Sequence, residues 1–467
     1  MSSATVTKTQ PTALIVGMGK TGLSVIAHLA ARGYQLTVAD SRNDPPGFAE
    51  IARSYSQVKT ITGRIPVEDF SFYDEVVVSP GIAIASDRSL VGDVELFARE
   101  VDVPVIAITG SNGKSTVTTL VETMLRAAGV KAVAAGNIGT PVLDGLRACR
   151  DGSVDVFVLE LSSFQLETTH SLQCAASTVL NLSEDHMDRY QSLQDYSQAK
   201  YRVFTHCECA VVDRDQSNLP DPPVEKCVYF SRQKPRDSRE YGLCTLDGER
   251  WFAKGEEPIH PVSRMTMRGE QNVSNILAAI SLIDAADLPG LHLRRSDMVE
   301  AALAFPGLPH RCEVVLERGG VVWINDSKAT NVGATLSAIE SFALDGLSNL
   351  ILIAGGQGKA ADFSELSPVV KEHCRHVVLF GEDAQAIHEA ITYDGHSDDW
   401  IHRVDDLQSA IAVSDSLVRS SLKAQQSADT VLFSPACASF DMFDSFEHRG
   451  DSFRASVQNL KAAGAAK

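Results

Sequence analysis

No apolar run in this chain approaches the roughly 18 residues that span a bilayer, and Met1 to Thr12 lack the basic-then-apolar order of an export leader. Both absences lead to the expectation of a cytoplasmic protein without membrane insertion. Positive charge is also in deficit: 42 Lys and Arg stand against 60 Asp and Glu, giving a net charge of -18 and a pI near 5.2. That balance argues against an extended nucleic-acid footprint, while a local cationic pocket for small anions stays open. There is no disulfide framework either. The nine cysteines are odd in number and scattered from Cys149 to Cys437, with only Cys207 and Cys209 close in sequence, so free thiols in a reducing compartment are expected. Short-period repeats and low-complexity tracts are missing too. What is present is ordinary for a folded chain: 44% hydrophobic and 22% charged residues, with a mean hydropathy of -0.04, which excludes disorder and a fibrous repeat. At 467 residues it suits two to four domains of ~100–200 residues each.

The order of apolar runs and helix-like stretches reads as α/β almost throughout. Ala13 to Val16 ends in Gly17, a helical stretch runs from Gly22 to Arg32, and Gln35 to Ala39 resumes strand character, which is a βαβ unit. Further runs at Glu75 to Val78, Val105 to Ile108, Asp155 to Leu159 and Thr178 to Leu180 alternate with helices, the pattern of parallel sheets covered on both faces. Val105 to Ile108 feeds a second glycine-rich turn and a long helix, Ser115 to Ala128, so a boundary is expected just before residue 98. Asn349 to Ala354, His376 to Phe380 and Thr430 to Phe433 follow the punctuation Pro306-Gly307-Leu308-Pro309, where a second boundary is expected. The division is therefore 1–97, 98–307 and 308–467. Asp213 to Ser263, rich in Asp, Pro and charged residues, reads as a loop-bearing, weakly patterned flank of the middle domain.

The strongest chemical signal is Ile108-Thr109-Gly110-Ser111-Asn112-Gly113-Lys114-Ser115-Thr116, which follows an apolar strand and opens a helix. Its glycines let backbone N–H groups turn toward phosphate oxygens, the helix start adds positive dipole, Lys114 neutralises β/γ charge and the Ser115 hydroxyl can ligate Mg²⁺. The strict G-x4-G-K-[ST] pattern is not met, because Ile108 stands at the first glycine's place. Glu160 closes the strand from Asp155, where such nucleotide sites keep a metal ligand, and Leu161-Ser162-Ser163-Phe164-Gln165-Leu166 follows it. Asn181 to Asp188 concentrates metal-capable side chains around His186. Lys200, by composition and position alone, reads as a solvated helical lysine.

Gly17-Met18-Gly19-Lys20-Thr21-Gly22 matches G-x-G-x-x-G, with Asp40 eighteen residues beyond its last glycine. It can hold NAD, FAD or the diphosphate of a UDP-sugar; two phosphate-binding units in one chain favour two phosphorylated substrates over a dehydrogenase. In the last third, Pro309 to Glu313 and Trp323 to Asn331 place cations beside apolar strands, suited to clamping phosphate and carboxylate. Ala354 to Lys359 and Ser434 to Phe440 each end a strand in a turn that can be structural or ligand-binding.

Taken together, T-G-S-N-G-K-S-T, E-L-S-S-F-Q-L, N-L-S-E-D-H-M-D, G-L-P-H-R, N-D-S-K-A-T-N and S-P-A-C-A-S-F resemble, in order and spacing over nearly the whole chain, the Mur ligases of bacterial cell-wall synthesis, and within them the branch that adds D-glutamate. The resemblance implies three domains: an N-terminal Rossmann-like domain for the UDP-sugar, a central ATP-binding parallel sheet, and a C-terminal Rossmann-like α/β domain that closes over both. It implies ATP and Mg²⁺, two ions, as cofactors, UDP-N-acetylmuramoyl-L-alanine and D-glutamate as substrates, and a monomer. Gly110, Ser111, Asn112, Gly113, Lys114, Ser115, Thr116, Asn275, Arg311 and Asp326 would meet ATP. Gly19, Lys20, Thr21, Asp40, Ser41, Arg42, Gly81, Asn137 and His186 would line the UDP-sugar path, and Lys328, Thr330, Lys359, Ser439, Phe440 and Phe446 would surround D-glutamate. Ser115 and Glu160 would hold one Mg²⁺, and His186 with a carbamylated Lys200 the second; a bare ammonium cannot ligate a cation, whereas a carbamate supplies anionic oxygens. The reaction implied is attack of a substrate carboxylate on ATP to give an acyl phosphate, with Lys114, Glu160, His186, Lys200, Arg311 and Lys328 as its catalytic set. Other Mur-type ligases and folylpolyglutamate synthetases share the central loop and differ in the last third. Phe440 stands where a smaller aliphatic is common and Gln357 where an acid can occur, and neither change removes a catalytic group.

Overall fold

Alternating strands and helices build three sheets, one after another along the chain. The structure, a computed structural model, describes residues 10–84, 90–149, 152–216, 219–288, 295–344, 349–359, 361–392, 399–423 and 430–464. The first sheet has four parallel strands in the order Lys59–Thr62, Gln35–Asp40, Thr12–Val16, Glu75–Val78. Its central strand is buried from Ala13 onward, as a parallel strand covered on both faces must be. The helix Lys20–Ala30 begins inside the glycine turn, two residues before the expected start at Gly22, with Gly19 as its N-cap.

The second sheet has nine strands. Ala132–Gly136, Val156–Glu160, Val105–Thr109, Ala176–Val179 and Ala210–Asp213 run parallel in that spatial order. The sheet then continues through Cys227–Phe230, Tyr241–Leu246, Glu249–Lys254 and Glu257–Pro261, the last two joined antiparallel. The stretch from Asp213 to Ser263 is a loop-bearing flank of the middle unit over the described residues of 214–226 and 231–240, as composition suggests, but it is not weakly patterned throughout, since it adds four strands to the edge of the sheet. Its decisive element is a two-residue hairpin turn, Asp247-Gly248, with φ of 52° and 82°, the twist-matched turn that Asp-Gly prefers. Tyr241 and Phe252 point into the core from its two strands while Leu246 and Glu249 stay exposed.

The third sheet runs Glu313–Arg318, Val321–Asn325, Thr430–Phe433, Leu350–Gly355, Cys374–Phe380, Ile401–Arg403, with only the first pair antiparallel. Register sets the function of these sheets. Ile108 pairs with Glu160 and Thr109 with Val179, so the phosphate loop, Glu160 and the Asn181 turn leave the central sheet side by side. Asn325 and Ile353 both pair with Phe433, so Asp326, Ser434 and Gly355 leave the third sheet together.

The apolar interior is not partitioned evenly. One buried cluster runs from Ala13 and Val38 through Phe97 to Phe157 and Tyr196, joining the first unit to the central one, and the Phe97 and Phe157 rings meet edge-on at 4.9 Å. The third unit keeps two clusters of its own, one around Leu352 and Val377 and one around Trp323 and Phe453. Its bonds to the central unit are polar: Gln271 N donates to Ser341 Oγ at 3.1 Å, and Arg268 pairs with Glu317 at 3.0 Å.

Candidate active site

The phosphate loop is pre-shaped by its neighbours. Gly113 caps the helix Lys114–Ala127 with φ of 84°, a left-handed conformation that a side chain would strain. Asn112 N donates to Asn181 Oδ1 at 2.8 Å, and Asn181 Nδ2 returns a bond to Asn112 O at 3.1 Å. Ser111 Oγ donates to Ser183 O at 3.0 Å. The Asn181 turn therefore fixes the loop, a role that the sequence hides because both partners look like ordinary turn residues. Lys114 Nζ folds over the loop onto Gly110 O and Ser111 O, at 2.7 and 2.8 Å, and burial lowers its affinity for a proton, with Glu160 acting against that fall.

Glu160 is 2% exposed. Its Oε1 accepts from Asn137 Nδ2 at 2.7 Å while Oε2 is buried with no partner. A buried polar oxygen without a partner costs about 1–3 kcal/mol, so this oxygen suits a cation. Among the described residues no group of three His, Cys, Asp or Glu side chains converges to cage a metal ion. Mg²⁺ in nucleotide sites needs no such cage, since it retains waters and phosphate oxygens, and Glu160 Oε2 with Ser115 fits that mode.

Lys200 is not the solvated lysine that composition suggests. It is 1% exposed on the helix Leu193–Tyr201, its Nζ donates to Gly110 O at 2.9 Å and sits 4.5 Å from the Tyr196 ring centre. Burial, and then the charge of Lys114, hold its pKa well below the ordinary lysine range. His186, at φ 58°, packs its ring 4.9 Å from Phe164, and burial lowers its pKa. Unmodified, Lys200 is a donor and ligates nothing.

The third unit reaches this centre through its strand ends. Arg311 Nη2 donates to Ser115 Oγ at 2.8 Å, and Asn331 Nδ2 donates to Asp185 Oδ2 at 3.3 Å. Asp326 is buried, bonded by Ser434 Oγ at 2.9 Å and Cys312 N at 3.1 Å, and burial pushes its pKa up to about 6. Lys328 Nζ lies 3.7 Å from the Phe446 ring centre, and burial lowers its pKa to about 8. A cavity of about 510 Å³ between the units is lined by Asn112, Gly113, Thr116, Asn275, Arg311, Asp326 and Lys328 among others, so seven of the residues singled out from sequence for ATP or catalysis border one space. Asn275 also donates to Asn272 Oδ1 at 3.0 Å.

Other singled-out residues lie apart from that cavity. Gly81 lies beside Phe164 in a second hollow of about 300 Å³, which Ser79, Thr168 and Arg189 help line. Asp40 turns both oxygens inward: it accepts from Met18 N at 2.9 Å and is forked by Arg42 Nε and Nη2 at 2.9 and 2.8 Å, which holds its carboxyl far below the usual range. Asp40 thus braces the Gly17–Gly22 turn, with Ser41 exposed beside it and Gly19, Lys20 and Thr21 at the helix start. A Cβ on Gly22 would sit 2.0 Å from Gly17 O. Gly22→Ala is expected to destabilise the first unit by about 1–3 kcal/mol through this overlap; an unshifted melting curve would refute the close packing. Thr330 is half-buried, Ser439 buried, Lys359 exposed at φ 52°, and Phe440 is 66% exposed.

Comparison with known proteins decides the family. Residues 11–91 match the description "Mur ligase MurD-like, N-terminal domain", residues 108–283 "Mur ligase middle domain", and residues 310–437 "Mur ligase, glutamate ligase domain". The chain belongs to the Mur ligase family. It is 44% identical over 460 residues to the UDP-N-acetylmuramoylalanine--D-glutamate ligase of Nitrosococcus oceani, covering 96% of this chain and 97% of that one. The ligase of the same name from Pseudomonas savastanoi pv. phaseolicola is 45% identical over 463 residues, covering 96% and 98%. Among solved structures, MurF from Acinetobacter baumannii superposes with a TM-score of 0.58 at 15% identity, over 82% of this chain and 85% of that one, which speaks to the fold alone. The three sheets described above are the three domains of a Mur ligase. Among the described residues no helix is long and apolar enough to cross a membrane.

Proposed function

We propose that this Mur ligase is the ATP-dependent enzyme that joins D-glutamate to UDP-N-acetylmuramoyl-L-alanine through an acyl phosphate, releasing ADP and phosphate during peptidoglycan precursor synthesis. The observation that carries the chemistry is the bond from Arg311 Nη2 to Ser115 Oγ, which puts a guanidinium of the third unit on the phosphate loop of the second. The names of the relatives, at 44–45% identity along nearly their whole length, support D-glutamate as the amino acid.

In the first step a carboxylate oxygen of the L-alanyl group attacks the γ-phosphorus of ATP. A P–O bond forms as the bond to the bridging β,γ-oxygen breaks, and ADP departs. Lys114 and Arg311 offset the charge on the transferring phosphoryl oxygens. The amine of D-glutamate then attacks the acyl carbon, the tetrahedral oxyanion collapses, the C–O bond to phosphate breaks, and phosphate leaves as the amine loses its proton. Ser115 and Glu160 would hold one Mg²⁺, and His186 with a carbamate on Lys200 a second; bound there, the ions neutralise phosphate charge. Gly19 to Thr21, Asp40 to Arg42, Gly81 and Asn137 are proposed for the UDP-sugar. Lys328, Thr330, Lys359, Ser439, Phe440 and Phe446 are proposed for D-glutamate. The proposed domain limits, 1–97, 98–307 and 308–467, are supported by each span holding one sheet. All nine cysteines are free, which supports a reducing cytoplasm, and the enzyme is proposed to work as a monomer.

Phosphate release in the presence of ATP, Mg²⁺ and UDP-N-acetylmuramoyl-L-alanine tests the reading across a panel of amino acids. Release that depends on D-glutamate is expected; equal release with L-alanine or a diamino acid would reassign the substrate.

A further inference from the structure

Arg449 is the largest fully buried side chain in the described protein, and none of the motifs singled it out. It sits in the first turns of the C-terminal helix Phe446–Gly464, at 0% exposure, where a helical arginine would ordinarily run its charged head out to water. Its head instead turns under the C-terminal ends of the third sheet. Nε donates to Ser327 Oγ at 3.1 Å and Nη2 to Ser327 O at 2.8 Å, on the turn that bears Lys328 and Thr330. Nη1 donates to Ala438 O at 3.0 Å and Nη2 also to Cys437 O at 3.0 Å, on the turn that bears Ser439. The third turn is beneath it as well: a Cβ on Gly356 would lie 3.1 Å from Nη1, on the loop that leads to Lys359. Ser327 Oγ in turn donates to Phe446 O at 2.9 Å, closing the ring back to the helix.

All four bonded acceptors are carbonyl or hydroxyl oxygens, so among the described residues no carboxylate bonds this charge; Asp326 and Asp441 act on it only at longer range. A buried cation without a bonded anion costs several kcal/mol in typical proteins, so a fork that serves packing alone would be better replaced by apolar side chains. Two carbonyl-bearing turns are held by one planar group whose donors diverge at fixed angles, and lysine offers no such geometry.

We propose that Arg449 is the positioning residue of the amino-acid subsite: its buried guanidinium ties the Ser327 and Cys437 turns together, packs beneath the Gly356 turn, and sets the spacing of the cations and hydroxyl that receive an acidic amino acid. The inference rests on the functional reading above, because it takes D-glutamate as the ligand of those turns. Arg449 does not touch substrate. Its effect passes through the placement of Lys328, Thr330 and Ser439, and its unpaired positive charge adds to the potential that draws in a dicarboxylate.

The test compares the intact wild-type enzyme with R449M, R449K and R449A in steady-state phosphate release, varying each substrate in turn, alongside thermal melts. R449M is expected to raise KM for D-glutamate by on the order of 10- to 100-fold while KM for ATP and for the UDP-sugar stays within about twofold. R449K, which keeps charge and length, is expected to raise the same KM by about 5-fold or more, because a single ammonium cannot satisfy both turns at once. Guanidinium ion at millimolar concentration is expected to lower the KM for D-glutamate of R449A and leave that of wild type unchanged. A KM for D-glutamate unmoved in R449K or R449M overturns the proposal, as does a uniform loss in all three substrates that follows the melting temperature. If R449M and R449A do not yield folded enzyme, R449K alone decides by the same criterion. A wild-type chain that shows no D-glutamate-dependent release overturns the functional reading and this inference with it, whereas normal wild-type turnover with an unmoved variant KM overturns this inference alone.

Discussion

Lys114→Ala is expected to lower ATP-dependent amide formation by on the order of 10³-fold or more, with the fold intact. The size follows from where the side chain sits. Lys114 opens the helix that starts at the phosphate loop, its Nζ lies over Gly110 O and Ser111 O, and Glu160 and Arg311 are close enough to act on its charge. In the proposed reaction it would face the phosphate oxygens that gain charge as the γ-phosphoryl group transfers. Arg311 remains in the variant and keeps part of the compensation, so residual activity above the uncatalysed rate is compatible with the assignment. Stability is expected to change little, since the two bonds that Lys114 makes go to carbonyls of its own loop. Single-turnover phosphate release, with circular dichroism to confirm folding, measures both. Turnover near the wild-type rate would remove the phosphate loop from the chemistry.

Lys200→Ala is expected to cost on the order of 10²- to 10³-fold in rate, and short carboxylates such as acetate or formate are expected to restore part of it. Lys200 is buried beside Gly110 O and the Tyr196 ring, and burial pushes it toward the neutral amine, the form that adds carbon dioxide. An ammonium retained there would stand close to Lys114, a like charge, at the place proposed for phosphates and metal. Carbamylation, as proposed, would turn that conflict into an anionic ligand. Wild-type enzyme equilibrated with isotopically labelled bicarbonate is expected to show a carbamate resonance by NMR that K200A lacks. Absence of that resonance, or a K200A enzyme that neither loses activity nor responds to carboxylates, would remove the carbamate from the account.

The parallel strands were open to reading because burial on both faces makes continuous apolar runs, as from Ala13 to Val16 and from Val105 to Ile108. The phosphate loop was open for the same local reason: strand, glycines, lysine and helix are adjacent in the chain. What resisted reading depends on distant partners. Lys200 is a plain helical lysine until Gly110 O, ninety residues earlier in the chain, is brought to it. Arg449 lies in a polar stretch of helix and acquires its burial only from turns at Ser327 and Cys437. The pairing of Asn137 with Glu160 follows from the register of two strands, which no run of residues announces. The hairpin at Asp247-Gly248 is a different case. Its Asp-Gly signal is local, and a reading of Asp213 to Ser263 by composition passes over it.

The uneven interior has a consequence for how such a chain diverges. Substitutions in the first and central units share one apolar cluster, so their effects on stability couple and a change in one narrows what the other accepts. Among the described residues no apolar cluster crosses from the central unit into the third, where Gln271, Arg268 and Arg311 make polar bonds across the seam. The stability effects of changes deep in the third unit are thereby insulated from the first two units, and they add instead of compounding. Modularity of this kind lets the choice of incoming amino acid drift while the activation chemistry stays fixed.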